Sequence, residues 1–283
     1  MKEKIGLVVC GNSGIDYLKV DFPIEVIRST LIIDGKEHED FIDITASEFY
    51  DIIVKNPDID ISTSQISTGK VAEVYEKMKN EGYTDVLVVS ISSKLSGTFQ
   101  GAVLAKELVP GINVYVIDTR TVSHGQAYLA LEAIRMIKAG DKMVEIIDRL
   151  EKMRDQISIF VLVDTLKYLV INGRLSTTSG FLGTLLKIKP LLHIQKDGSL
   201  VPYEKIRTTR KAQTRLLEII KQKIKNKNVN LFIAYTNNEG LANEIKDELL
   251  IDYPNLRIDI VPLTPVVGAH AGPGTLGIGY ILN

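Results

Sequence analysis

A run of small hydroxyl residues follows one of the most apolar segments of the chain. Asp85 to Val89 has the pattern of a buried strand, and the next residues, Ser90 to Gln100, include four serines, a threonine and a glycine. Apolar residues at helical spacing predict a helix over Thr98 to Val109. The first turn of such a helix leaves backbone N–H groups unpaired, and these groups favour an anion. In a simpler alternative, Ser96 or Thr98 only caps the helix.

Three other places combine polar side chains with a turn or an element boundary. Thr63 and Ser64 belong to a second hydroxyl cluster, which precedes a predicted helix. Arg174 follows a glycine at the end of a short predicted helix, where the helix dipole by itself would favour a cation. His270 is predicted to lie in a loop rich in glycine and proline, where functional histidines often occur. Each of these residues is therefore a candidate for the same site.

Common cofactor and metal motifs do not fit the chain. Gly272 to Gly277 matches the spacing G-x-G-x-x-G, but only six residues follow it, too few for the helix and strand of a dinucleotide-binding unit. The four histidines are widely spaced and have no cysteine partners, so a metal site is not expected. The single cysteine, Cys10, is predicted to be a buried, inert thiol. We therefore expect no cofactor.

Composition limits the class of protein. The 283 residues are 45% hydrophobic and 24% charged, which is typical of a globular protein with room for two domains. The net charge of −1 does not favour nucleic acid. A lone cysteine, no signal peptide and no apolar run of about 18 residues predict a cytoplasmic, non-membrane protein. The basic segment Lys205 to Lys227 is interpreted as the solvated face of an amphipathic helix, or alternatively as a docking face for an acidic partner.

The elements that must position the candidate residues differ between the two halves of the chain. In residues 1–157, predicted strands such as Ile5 to Val9 alternate with helices such as His124 to Ala139, which indicates an α/β domain with a mainly parallel sheet. In residues 158–283, Asp197-Gly198 between two apolar runs predicts a β-hairpin, and strands and helices follow. This half is predicted to be an α+β domain, with a ligand cleft between the two domains.

Five motifs in register carry a resemblance to a known family. They are Thr63-Ser64-Gln65, Leu95 to Gln100, Thr165 to Leu169 with Gly173-Arg174-Leu175-Ser176, Arg207 with Arg210-Lys211-Ala212, and His270 to Gly274. In order and spacing, over essentially the whole chain, they resemble the successive motifs of the DegV family.

The resemblance implies a function that the residues alone do not. DegV proteins of this kind enclose a long-chain fatty acid between two α/β domains and serve as the lipid-presenting, non-catalytic subunit of a bacterial fatty acid kinase. A separate ATP-binding subunit, similar to dihydroxyacetone kinases, phosphorylates the bound carboxylate to an acyl phosphate. By this resemblance, the expected partners are a fatty acid and that kinase subunit, with no nucleic acid and at most transient membrane contact.

The family motifs also assign roles to individual residues. Thr63 and Ser96 would hydrogen-bond the carboxylate, and His270 would lie at the same head group. Arg174 would lie near it and help to engage the kinase subunit. The predicted ligand-binding site further includes Ser64, Ser93 and Gly97.

One departure from the family pattern leaves alternatives open. Family members usually have Asp-Ser-Thr/Ser-Ala-Asp after the first strand, whereas this chain has Cys10-Gly11-Asn12-Ser13-Gly14 and lacks both acids. The protein could therefore be a lipid-binding paralogue without a kinase partner. Alternatively, it could be a stand-alone hydrolase or transferase in which Ser96 is the nucleophile and His270 the base, which requires the two side chains to be in hydrogen-bonding reach.

Overall fold

The computed structural model describes residues 3–175 and 188–282. Its strands are β1 (Ile5–Cys10), β2 (Ile24–Ile27), β3 (Thr30–Ile33), β4 (Lys36–Glu39), β5 (Ile61–Ser64), β6 (Asp85–Ser90), β7 (Asn113–Asp118), β8 (Ile157–Leu162), β9 (Lys189–Ile194), β10 (Leu200–Ile206), β11 (Val229–Tyr235), β12 (Arg257–Pro262) and β13 (Leu276–Leu282). Its α-helices are α1 (Ala46–Lys55), α2 (Thr68–Asn80), α3 (Thr98–Lys106), α4 (His124–Ala139), α5 (Met143–Arg154), α6 (Lys167–Ile171), α7 (Thr209–Ile224), α8 (Glu239–Asp252) and α9 (Pro265–Ala271).

The first half contains the predicted parallel sheet. Its four strands lie in the order β2-β1-β6-β7, and every neighbouring pair is parallel. Both central strands are fully buried. Val88 packs in the cluster beneath α2 and α3, whereas Val89 belongs to the cluster that includes α4. Helices therefore cover both faces, as expected for a parallel sheet, and the predicted α/β class is confirmed.

A small antiparallel sheet, in the order β4-β3-β5, was not predicted. The apolar run from Ile24 to Ile33 divides between two sheets, because β2 ends at Ile27 and β3 begins at Thr30. Asp34 and Gly35, with φ of 46° and 76°, form the tight turn that their sequence indicates. The second hydroxyl cluster is partly a strand: Thr63, in β5, pairs with Leu31 of β3.

The second half is built on a mixed sheet of six strands in the order β10-β9-β8-β13-β11-β12. The predicted hairpin around Asp197-Gly198 is present and joins β9 to β10. Strand β10 continues to Ile206, so the basic segment begins in a strand, and its helix α7 starts only at Thr209. The apolar residues of α7 are buried against the sheet, which confirms the amphipathic interpretation.

Helix α9, from the second half, packs against elements of the first. It contacts α1, β3 and β5, and the Tyr50 hydroxyl donates to the Leu263 carbonyl at 2.9 Å. A Cβ atom on Gly268 would overlap the Tyr50 ring, so α1 and α9 approach closely at this glycine. One hydrophobic cluster includes side chains from both halves. The boundary between residues 157 and 158 stays a prediction.

Two further sequence predictions concern Cys10 and membrane insertion. Cys10 is buried at the end of β1, and burial raises the pKa of its thiol, which fits the predicted inert cysteine. Within residues 3–175 and 188–282, no helix has both the length and the apolar character needed to cross a bilayer.

Candidate functional site

A cavity of about 950 Å³, part of it open to solvent, lies between the two halves of the molecule. Its interior is formed by apolar side chains, among them Ile159, Ile194, Phe232 and Ala234, which are all buried. Its polar lining includes Thr63, Ser96, Arg174 and His270, which are each only half-buried. The cavity thus has an apolar interior and a polar, partly accessible region.

Two glycines of β13 explain why this space is not filled by the core. Leu276 and Ile278 point into the cluster beneath α7 and α8, so Gly277 and Gly279 face the opposite side of the strand. A Cβ atom on Gly279 would overlap the ring of Phe232, whereas a Cβ on Gly277 would have no neighbour among the described residues closer than 3.8 Å. Gly277 also lines the cavity. The open space above it therefore depends on the missing side chain.

His270 lies in helix α9, so the predicted loop position is wrong. Pro265 occupies the start of this helix, where its missing N–H is tolerated. The Val266 N–H, in the same first turn, donates to the carboxylate of Asp40 at 3.0 Å, across the boundary between the two halves. Pro265 thus begins the helix and Gly272 ends it, so the glycines and prolines around His270 do not prevent a helix. The Asp40 carboxylate caps the helix, and local sequence patterns do not indicate it because Asp40 is far away in the chain.

Thr63 and His270 form a direct contact across the two halves. The Thr63 hydroxyl lies 2.8 Å from His270 Nε2, and the Nδ1 atom is buried with no hydrogen-bond partner among the described residues. Burial and the positive charge of Arg174 lower the pKa of His270 to about 4. The imidazole is therefore neutral at neutral pH.

The depressed pKa of His270 makes stability dependent on pH. Between its ordinary value of 6.5 and about 4, the unfolded chain binds more protons than the folded chain, so stability is lost as the pH falls through this window. We expect His270→Gln, which keeps an acceptor for Thr63, to remove up to about 3 kcal/mol of this acid sensitivity. Urea unfolding of both proteins between pH 7 and pH 4 measures it. If the free energies of unfolding of the two proteins changed equally with pH, His270 would not be the source of the acid sensitivity.

Ser96 both caps the start of α3 and lines the cavity. Its Oγ atom accepts a hydrogen bond from the Thr98 N–H at 3.2 Å and lies 2.9 Å from the Thr98 hydroxyl. Ser96 can therefore bond the start of the helix and also lie in the candidate site, so the two alternatives considered for it from the sequence are compatible. The short turn before α3 directs this serine toward the cavity, while Thr98 itself is buried.

Arg174 is held at the same region by backbone carbonyls. Its Nε atom donates to the Leu95 carbonyl at 3.2 Å, and Nη1 donates to the Asn172 carbonyl at 2.5 Å. The Asn172 side chain in turn donates to the Ala269 carbonyl, beside His270, at 3.4 Å. This network connects the end of α6, the turn before α3 and helix α9. Ser176, part of the same sequence motif, lies outside the described residues.

Three residues of the predicted site do not line the cavity. Ser64 follows Thr63 on β5, points to the other side and is exposed. Ser93 donates to the Asp118 carboxylate at 2.5 Å, at the end of the neighbouring strand. Gly97 lies beneath the Gln65 side chain, which a Cβ atom at this position would overlap. The missing side chain at Gly97 thus leaves room for Gln65, which does line the cavity.

Several polar residues of the lining were not among the predicted site residues. Asn12 is buried, lines the cavity, and has no hydrogen-bond partner for Oδ1 among the described residues. Its place in a glycine-bearing turn after β1 is the sequence feature that could have indicated Asn12 as a site residue. Gln65 stands in a family motif and could have been named on that basis. Ser29 lies between β2 and β3, where no local pattern marks it. In the described part of the chain, no three His, Cys, Asp or Glu side chains are grouped to hold a metal.

Comparison with known proteins agrees with the geometry. The DegV family model, described as "Uncharacterised protein, DegV family", matches residues 14–283. A DegV domain-containing protein of Clostridium acetobutylicum is 33% identical over 279 residues, covering 98% of each chain.

Two similar crystal structures are those of DegV from Bacillus subtilis, described as a fatty acid binding protein, and of a fatty acid binding DegV family protein from Streptococcus agalactiae. The first has a TM-score of 0.88 at 30% identity, covering 99% of this chain and 100% of that one. The second has a TM-score of 0.89 at 28% identity, covering 99% of each. The protein described here therefore belongs to the DegV family.

Proposed function

We propose that this protein binds a long-chain fatty acid, with the carboxylate at the half-buried polar cluster of Thr63, Ser96 and His270 and the tail in the apolar interior. The observation that carries this proposal is the division of one cavity into a partly accessible polar region and a buried apolar interior. A fatty acid has the same division. The similar proteins from B. subtilis and S. agalactiae, which are described as fatty acid binding, support it.

The polar cluster suits a carboxylate that must remain reactive. Ser96 supplies one hydroxyl donor. Thr63 and His270 share a hydrogen bond, so this pair has one further proton to donate to the carboxylate, and the neutral imidazole adds no charge. Arg174 is anchored through Nε and Nη1 to carbonyl groups, which keeps its charge near the head group while leaving Nη2 outside these two bonds. The carboxylate would thus be oriented by hydrogen bonds and not locked in a bidentate ion pair.

The tail would supply most of the affinity. A buried methylene contributes about 0.8 kcal/mol, so some fourteen methylenes contribute roughly 11 kcal/mol before the cost of ordering the chain. Shape and length of the apolar interior would therefore select the lipid, and the polar cluster would fix its direction.

We further propose that the bound acid is presented to a separate ATP-dependent kinase subunit, which forms the acyl phosphate. The half-buried state of all four polar residues supports this step, because a phosphoryl donor needs access to the carboxylate. Asn12, which lies in the turn that lacks both acids of the family pattern, faces the same cavity. Acyl-phosphate formation on mixing the loaded protein with such a subunit and ATP distinguishes a kinase subunit from a paralogue that only binds lipid.

Geometry does not favour the hydrolase alternative. Ser96 Oγ contacts Thr98, and His270 Nε2 contacts Thr63. No described residue orients the imidazole through Nδ1, although a serine–histidine mechanism depends on such a group. We therefore do not adopt this function.

Native mass spectrometry of the purified protein tests the binding function. We expect an added mass equal to one long-chain fatty acid, which denaturation releases for identification. Delipidated protein should take up one equivalent of added fatty acid. Protein that is purified empty and also fails this uptake would contradict the proposal.

A further inference from the structure

A second, smaller cavity lies directly behind the first. It measures about 310 Å³, including space open to solvent, and its lining includes Arg120, Arg154 and Lys196. Ile159 and Ile194 line both cavities. Because these two side chains belong to both linings, they stand between the two spaces. We call this pair the end wall.

The strand register shows that the end wall is the far end of the lipid cavity. Gly277 pairs with Val161 on one side and Ala234 on the other, which defines one row across the sheet. Two residues further along, the next row contains Phe232, Ile159 and Ile194.

Strand β8 runs from the second row toward the first and then leads to α6 and Arg174. The row with Val161 is therefore nearer to the polar cluster, and the end wall is about 6.6 Å deeper.

The end wall is firmly packed. Ile159 is 4% exposed and Ile194 is 7% exposed. Behind Ile159 lies helix α4, where a Cβ atom on Gly125 would be only 3.2 Å from Ile159 Cδ1. Both side chains are buried, and close packing in a protein interior leaves them little room to move. A tail that reaches the end wall therefore meets a fixed surface.

The space behind the end wall is chemically different from the lipid cavity. The Arg154 side chain is 11% exposed and donates to the Asp118 carbonyl at 3.1 Å, and Arg120 lies 3.7 Å from the Asp155 carboxylate. The Thr121 hydroxyl, which lines this space, is buried with no partner among the described residues. A methyl group would gain little there. A carboxylate would find an unused hydroxyl and a lining in which three cations, Arg120, Arg154 and Lys196, outnumber the one carboxylate, Asp155.

We propose that Ile159 and Ile194 set the maximum acyl-chain length and restrict the ligand to fatty acids with an apolar end. This inference rests on the proposed fatty-acid binding. It assigns the choice of ligand class to two residues far from the head group. Removing the wall side chain would join the two cavities and admit a longer acid with a second carboxylate at its far end.

Competition binding with a series of saturated monocarboxylic acids of increasing length, and with long-chain α,ω-dicarboxylic acids, tests the proposal. Ile159→Ala removes about three carbon atoms from the wall, so we expect the preferred length to increase by about two to three carbons. Each added methylene that becomes buried is worth about fourfold in affinity. We also expect the variant to bind the long dicarboxylic acid at least about tenfold more tightly than the unmodified protein does.

Val161→Ala is the matched control. Val161 lies on the same face of the same strand, one row nearer to the polar cluster, so its truncation should weaken binding of all chain lengths without changing the preferred length. An unchanged length profile and unchanged discrimination against dicarboxylic acids in Ile159→Ala would overturn the inference. Failure of the unmodified protein to bind any fatty acid would instead overturn the proposed function.

Discussion

Replacing Gly277 by leucine is expected to weaken fatty-acid binding by about 100-fold while the protein remains folded. The new side chain would project into open space, since the nearest atom to a Cβ at this position is 3.8 Å away. It would occupy the volume of about four tail carbons, each worth about 0.8 kcal/mol. Titration of delipidated protein with a fatty acid measures the affinity, and circular dichroism checks the fold.

Gly240→Leu provides the control for Gly277→Leu. Gly240 lies in α8 and is exposed, and no atom of the described residues lies within 4 Å of its Cβ position. The same substitution there should therefore leave binding unchanged. Gly277→Ala should have an intermediate effect, because it fills less of the cavity. If Gly277→Leu bound fatty acid as tightly as the unmodified protein, the tail could not pass over β13 at this glycine.

Removing the hydroxyls of Thr63 and Ser96 together is expected to reduce fatty-acid affinity by at least about 100-fold. A hydrogen bond to a charged group contributes about 1.5–3 kcal/mol, so each single change to alanine should cost at least about tenfold. Thr63→Ala also removes the partner of His270 Nε2. The same titration measures the loss, and acyl-phosphate formation with a kinase subunit and ATP measures its effect on presentation.

The hydroxyl-preserving variants Thr63→Ser and Ser96→Thr separate hydrogen bonding from packing. Both should keep most of the affinity that the alanine variants lose. Substitution of the exposed neighbour, Ser64→Ala, should have no effect, since its side chain points away from the cavity. If Thr63→Ala with Ser96→Ala retained and presented the fatty acid normally, the carboxylate could not lie at this cluster.

The sequence alone determined those features that depend on local patterns. The continuous apolar run of β6 indicated a strand buried on both faces, and the parallel α/β class followed from the alternation of such strands with helices. Asp34-Gly35 and Asp197-Gly198 specify their turns because positive φ angles restrict the choice of residue. Motif order identified the family and, with it, Thr63, Ser96, Arg174 and His270 as cavity residues.

Only the tertiary structure decided which polar residues share the cavity and why the cavity exists. Helix α9 forms around His270 with Asp40, more than 200 residues earlier, as its cap. Ser64 is turned outward by the two-residue period of β5, and Ser93 is taken by Asp118 of the adjacent strand. Gly277, which looks like any glycine in a strand, opens the cavity because no side chain of the described residues fills the space above it. Such contacts join residues far apart in the chain, so no local pattern encodes them.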